Sequence, residues 1–282
     1  MLRCLGKEWP GKAFKGIPTI MAHTWRWREL AALSAPFAGL ASWRNWPDTM
    51  LARVPSDCAL CRGASRGGQL CPDCRADVTH SMQSPARRCP VCRLALEAVA
   101  GCPDCALRAP AFDAVVAAFD YAMPGDLLVR QFKGERRFSH ARFLAAILAD
   151  AVRQHRPALP GNTILVPVPG SRASVVQRGF NPAAELARYL APQLALRCQP
   201  HLLARRQEGG RQTHMRRTQR LRQAPGLYAC TRRVEGATIA VVDDVLTTGS
   251  TLHGIALQLK AAGAGAVWGL VLARTPYRQR AV

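Results

Sequence analysis

Acidic residues are scarce in this chain. Asp and Glu number 18 against 39 Lys and Arg in 282 residues, a formal charge of +21. That imbalance favours polyanionic partners such as nucleic acid, or anionic small molecules. It identifies neither, because arginine-rich composition also follows genomic base composition. Aromatic side chains are few as well, at 6%, so stacking platforms for bases are few. Long apolar runs are missing. The longest uncharged, apolar-leaning run, Leu30 to Trp43, is broken by Ser34, Pro36 and Ser42, and it is too short to cross a bilayer. No ordered pattern of basic start, apolar centre and small-residue cleavage site opens the chain. The expectation is a cytoplasmic protein with no transmembrane segment, associated with a membrane only through partners.

Cysteine, by contrast, is plentiful. Of 11 cysteines, eight fall into four Cys-x-x-Cys pairs. Cys58-x2-Cys61-x9-Cys71-x2-Cys74 is followed by Cys89-x2-Cys92-x9-Cys102-x2-Cys105, the same spacing twice. This is metal spacing rather than a disulfide framework, and the cytosol keeps such thiols reduced. Each knuckle presents two thiolates from one tight turn. Four thiolates satisfy tetrahedral Zn2+ with no open position, so two structural zinc sites are expected. Sequential ribbons are the simplest pairing; interleaved ligation would use the same eight residues. Cys4, Cys198 and Cys230 stand alone and read as ordinary thiols.

Three regions follow. Residues 1–50 are an N-terminal extension, partly disordered or a short helix, holding five of the six tryptophans. Residues 55–108 are the double cysteine ribbon. Residues 112–275 read as one α/β domain. Strands are predicted at Val115–Tyr121, Thr163–Val168, Thr238–Val242 and Ala266–Leu272. Helices are predicted at Gly125–Lys133, Ser139–Arg153, Asn181 to about Leu196, and Ser250–Ala262, the last closed by Gly263. Phe143, Leu144, Ile147, Leu148 and Val152 share one helical face. Asn181-Pro182 is an N-cap followed by proline in the first turn. Strands alternating with helices indicate a mostly parallel sheet.

Val241-Val242-Asp243-Asp244-Val245-Leu246-Thr247-Thr248-Gly249-Ser250-Thr251 carries the clearest chemistry. A buried strand ends in two carboxylates, and a hydroxyl-rich loop then opens a helix. Such a loop wraps a phosphate with backbone N–H groups and a helix N-terminus. The carboxylates suit ribose hydroxyls or magnesium. The same order also suits a helix cap or a structural ion. The segment closely resembles the 5-phosphoribosyl-1-pyrophosphate (PRPP) motif of type I phosphoribosyltransferases. Three other segments fit such a site. Val168, Pro169 and Arg172 leave a strand end where the enzymes it resembles contact pyrophosphate, and Arg178 follows, its guanidinium suited to phosphate oxygens. Arg205 to Arg222, with Gln212 and Arg217, reads as a mobile basic loop that closes over substrate; a solvated charge run or a nucleic-acid contact fits it as well. Lys133, in Phe132-Lys133-Gly134, is placed to reach a phosphate, or to complement a helix end.

A cysteine module, a helix ending in Phe-Lys-Gly, a proline-rich strand end leading to Arg178-Gly179-Phe180-Asn181, and the acidic pair with its loop come in an order that resembles the ComF/GntX family. The likeness covers about Cys58 to Thr275. It implies the type I phosphoribosyltransferase fold, PRPP binding with Mg2+, Asp243 and Asp244 facing ribose and metal, and Thr247, Thr248, Gly249, Ser250 and Thr251 cradling the 5-phosphate. It also implies a role in DNA uptake, with single-stranded DNA and with competence or helicase proteins as partners. An active phosphoribosyltransferase, transferring to an acceptor that no segment specifies, is the alternative. A third reading keeps the fold as a scaffold and the ribbons as docking modules.

Overall fold

A computed structural model describes residues 53–83, 87–96, 101–134, 138–155, 157–206 and 226–277. The tryptophan-rich extension, and Gln212 and Arg217 with most of the basic loop, lie outside the described residues.

Strands β1 (Pro55–Asp57) and β2 (Ala64–Arg66) pair antiparallel around the first cysteine knuckle. Helix α1 (Pro72–Gln83) begins at the second knuckle, and α2 (Pro103–Leu107) begins at the fourth. In both copies the sequence is Cys-Pro-Asp-Cys, so the proline takes the first helical turn, where its missing N–H costs nothing.

The larger part follows as β3 (Ala114–Asp120), α3 (Gly125–Gly134), α4 (Ala141–Gln154), β4 (Ile164–Pro167), α5 (Arg172–Arg178) and α6 (Pro182–Leu194). Then come β5 (Arg197–Cys198), β6 (Leu203–Arg205), β7 (Tyr228–Cys230), β8 (Thr238–Leu246), α7 (Ser250–Ala261) and β9 (Ala266–Arg274). Five strands form one sheet in the order β3-β9-β8-β4-β5, every pair parallel. The strands are apolar almost throughout because both faces are covered.

Alternate residues feed two cores. Val116, Ala240, Val242 and Leu270 meet α3, α4 and α6 on one face. Val115, Val241, Val267 and Val271 meet α7 and the second cysteine repeat on the other. The helical face read from the sequence is real: Phe143, Leu144, Ile147, Leu148 and Val152 are all buried, and each such side chain contributes roughly 1.5–3 kcal/mol of burial. Gly269 lets α7 sit close on β9, since a Cβ there would lie 2.5 Å from Leu252 Cδ2.

Two differences from expectation have simple causes. The central strand runs past Val242 to Leu246 because β9 keeps pairing with it, through Asp243↔Val271 and Leu246↔Arg274. The segment before Asn181 contains a helix, α5, capped by the Ser171 hydroxyl at its start and by Gly179 at φ 84° at its end.

Candidate functional site

The crevice between β4 and β8 is a topological switch point. From β4 the chain moves outward to β5; from β8 it moves the opposite way to β9. Loops leaving two such strands diverge and open a cleft at their carboxyl ends, where open α/β sheets bind ligands. Both motif loops lie there. Pairing with β4 stops at Val242, where the Val168 N–H donates to the Val242 carbonyl. The next residues, Asp243 and Asp244, therefore lack a neighbour on that side.

Lys133 crosses from the end of α3 to this pair, its Nζ 2.8 Å from Asp244 Oδ1. Its partner is thus a carboxylate in this structure. The Asp244 N–H donates to Asp243 Oδ1 at 2.9 Å. Burial, and then the Asp244 charge, raise Asp243 to about 7, against the pull of Lys133. Two hard carboxylates held this close suit a divalent cation such as Mg2+.

Beyond the pair the loop turns through Gly249, whose φ of 74° is open to glycine at little cost. A Cβ there would also touch the Phe112 ring at 3.4 Å. Gly249 supplies no side-chain cap; the Ser250 N–H donates to Thr248 Oγ1 at 3.4 Å, and the amides that follow in the first turn of the 12-residue α7 suit a ligand or solvent. Thr248 and Ser250 hydroxyls lie 2.7 Å apart beside them. Thr247, Thr248 and Thr251 are half-buried and Ser250 is buried.

The facing loop is held by Asn181. Its Nδ2 donates to the Val168 carbonyl at 3.0 Å, and its Oδ1 accepts from the Ala183 N–H at 3.1 Å. One side chain thus caps α6 and fixes the strand end before Pro169. Phe180 packs on Phe132 with ring centroids 5.4 Å apart. The Arg-Gly-Phe-Asn and Phe-Lys-Gly motifs therefore meet in space. Arg172 is exposed at the start of α5 and Arg178 half-buried at its end.

The β6–β7 hairpin stands beside this crevice. Tyr228 is buried, and burial raises its phenol, with Asp243 close enough to add to the rise. The strands' ends, Arg205 and Tyr228, are the two roots of the basic segment. A cavity of about 580 Å³ lies elsewhere, between β1 and the start of α4, lined by Arg62, Phe138 and Arg142. The crevice is the better candidate, because the carboxylate pair and the open helix end converge only there among the described residues.

The cysteines form two groups of four, Cys58, Cys61, Cys71, Cys74 and Cys89, Cys92, Cys102, Cys105. The sulfurs of each lie within 4.8 Å of one another. Cys61–Cys71 and Cys89–Cys105 sulfurs are 3.7 Å apart, and Cys92–Cys102 sulfurs 3.5 Å. A zinc tetrahedron with 2.3 Å bonds has edges of about 3.8 Å, so both groups fit the ion. The grouping is sequential. The knuckles repeat in detail: Arg62 and Arg93, each following its second cysteine, have φ of 63° and 60°.

No sequence motif singles out Arg274. It is 1% exposed at the end of β9. Its guanidinium bonds the Cys92 carbonyl at 2.9 Å, the Thr247 carbonyl at 2.5 Å and Asp104 Oδ2 at 2.6 Å. The available signal was an arginine ending an otherwise apolar run, Val267 to Ala273, since buried charge demands partners.

Sheet, crevice and cysteine groups define the class: a type I phosphoribosyltransferase-like α/β protein carrying two four-cysteine groups. Sequence relatives narrow it. The chain is 32% identical over 230 residues to DNA utilization protein YhgH of Salmonella typhimurium, covering 79% of this chain and 98% of that protein. It is 30% identical over 229 residues to competence protein F of Haemophilus influenzae, covering 77% and 96%. It is 30% identical over 223 residues to YhgH of Escherichia coli K12, covering 77% and 90%. The chain belongs to this family, the ComF family. No family model matches it. A solved adenine phosphoribosyltransferase from Leishmania tarentolae aligns with a TM-score of 0.27 at 18% identity, covering 47% of this chain and 70% of that one. Among the described residues no helix is long and apolar enough to cross a membrane.

Proposed function

We propose that this chain binds PRPP with Mg2+ in the crevice outside β4 and β8, and that it serves DNA uptake in natural transformation by handling single-stranded DNA. One observation carries the ligand reading: a carboxylate pair and a helix N-terminus opened by a glycine lie at the carboxyl end of one strand, on the switch point of a parallel sheet. The loop Thr247–Thr251 would take the 5-phosphate on backbone N–H groups. Asp243 and Asp244 would take ribose hydroxyls and hold Mg2+, which supplies neutralisation of the pyrophosphate charge. Lys133 would exchange its carboxylate partner for phosphate oxygens as ligand enters. Val168 and Pro169, with Arg172 and Arg178, would border the pyrophosphate, and Gln212 and Arg217 would come from the covering loop. Both cysteine groups would hold structural Zn2+.

The uptake reading is supported by the names of the relatives, which refer to DNA utilization and competence. It is also supported by the charge of +21. Competence or helicase proteins are the partners this role requires, in the cytoplasm beside the membrane. A second reading, an active phosphoribosyltransferase, is favoured by the same carboxylate pair and loop, and release of pyrophosphate in the presence of an acceptor would separate the two.

Calorimetric titration of the zinc-loaded chain with PRPP, with and without Mg2+, tests the ligand reading. Magnesium-dependent binding that is lost in Asp243→Asn/Asp244→Asn is the expected result. A folded wild type that binds no PRPP would overturn it.

A further inference from the structure

We infer that Arg274 is a positioning residue for the phosphate loop, and that through it the loop depends on the second cysteine group and not on the first. The consequence for PRPP affinity rests on the function proposed above; the coupling itself does not.

The two cysteine repeats supply their own comparison. Each contains Cys-Pro-Asp-Cys, so Asp73 and Asp104 are equivalent. Asp73 is exposed, whereas Asp104 is buried and bonded to Arg274. The guanidinium also lies against the cluster itself, with Nη2 3.7 Å from Cys92 Sγ and Nε 2.9 Å from the Cys92 carbonyl. A zinc ion with four thiolates has a net charge of about −2, and Asp104 adds to it. A buried cation is what such an anionic group needs.

The other side of the same guanidinium holds the loop. Nη1 donates to the Leu246 carbonyl at 3.2 Å and the Thr247 carbonyl at 2.5 Å. A trans peptide is planar, with C=O and the following N–H pointing oppositely. Fixing the Thr247 carbonyl toward Arg274 therefore aims the Thr248 N–H away from the cysteine group. Two further ties back the loop. Phe112 sits behind Gly249, and the Ala111 N–H donates to His253 Nδ1 at 3.1 Å in the first turn of α7. The space left among Cys92, Cys105, Phe112, Gly249 and His253 is only about 10 Å³, so the contact is closed. The first group instead packs with α4 on the opposite face of the sheet, with Arg75 paired to Asp150.

The test is hydrogen exchange across residues 247–251 in the zinc-loaded full chain, without ligand, for wild type, Asp104→Asn, Arg274→Lys and Asp73→Asn. Asp104→Asn keeps the shape and removes the charge; Arg274→Lys keeps the charge and removes the fork. Both are expected to speed loop exchange by about tenfold or more, with α4 and β3 unchanged, while Asp73→Asn matches wild type. PRPP affinity should fall about tenfold in the first two and stay unchanged in Asp73→Asn. Exchange that rises evenly through the sheet, or equally in Asp73→Asn and Asp104→Asn, would overturn the coupling. A wild type that binds no PRPP, with the loop still loosened by Asp104→Asn, would overturn the PRPP reading and leave the coupling standing. PRPP binding with no effect of either variant would do the reverse.

Discussion

Lys133 Nζ lies 2.8 Å from Asp244 Oδ1, which makes the end of α3 and the carboxyl end of β8 one electrostatic unit. Asp243, next in line, is raised to about 7 by burial and by Asp244, and lowered in part by Lys133. The folded chain therefore holds the Asp243 proton more tightly than the unfolded chain, whose carboxyl titrates near ~3.9. Stability from this proton is full below the unfolded value and is lost as pH rises through about 7. In the zinc-loaded chain without Mg2+, urea denaturation should show Asp243→Asn gaining on wild type between pH 4 and 8. Lys133→Met should steepen the wild-type loss. A pH-independent difference between Asp243→Asn and wild type would contradict this.

Zinc content should be two ions per chain by elemental analysis, with Cys58→Ser or Cys89→Ser each reducing it to one. Removal by a chelator should have two phases. Cys61 is exposed, whereas Cys89 and Cys92 are both buried, so the first group should empty first. A single phase would mean that the two groups exchange metal together.

Asn181 combines two roles that substitutions can separate. Asn181→Asp keeps the acceptor that caps α6 but loses the donor to the Val168 carbonyl; Asn181→Ala loses both. The alanine variant should cost about 1–2 kcal/mol in urea denaturation, the aspartate less. Equal losses would mean that the bond to Val168, and not the cap, carries the stabilisation.

Gly249→Ala meets two obstacles at once, a φ of 74° and the Phe112 ring 3.4 Å from the new methyl. A destabilisation of about 1–2 kcal/mol follows. PRPP binding should weaken more than that loss of stability explains, because the first amides of α7 would turn. Unchanged affinity in a destabilised variant would place the phosphate elsewhere.

Local rules carried much of the sequence reading. The α4 stripe, the Asn181 cap, the Gly263 stop at φ 97° and the doubled cysteine spacing all depend on neighbours within a few residues. The acidic pair was legible for the same reason. What stayed hidden depends on partners far along the chain. The end of β8 is set by β9 rather than by its own residues. The two-residue β5 has no periodicity to read. The Lys133–Asp244 pair is not readable from the sequence, because its members lie more than a hundred residues apart. Arg274 becomes intelligible only once Asp104 and Thr247 are brought to it.

The first strand of the large sheet, β3, pairs only with the last, β9, among the described strands. During synthesis the cysteine repeats and β3 emerge early, and β3 must then wait for nearly the whole domain before its partner exists. Metal capture by the cysteine groups would need no such delay, since each group of four is complete within a short stretch. The vectorial order of assembly would then be cysteine groups first and sheet closure last. A ribosome-stalled chain lacking Ala266–Arg274 would hold loaded ribbons beside an unclosed sheet, with the inner edges of β3 and β8 both bare to any passing strand.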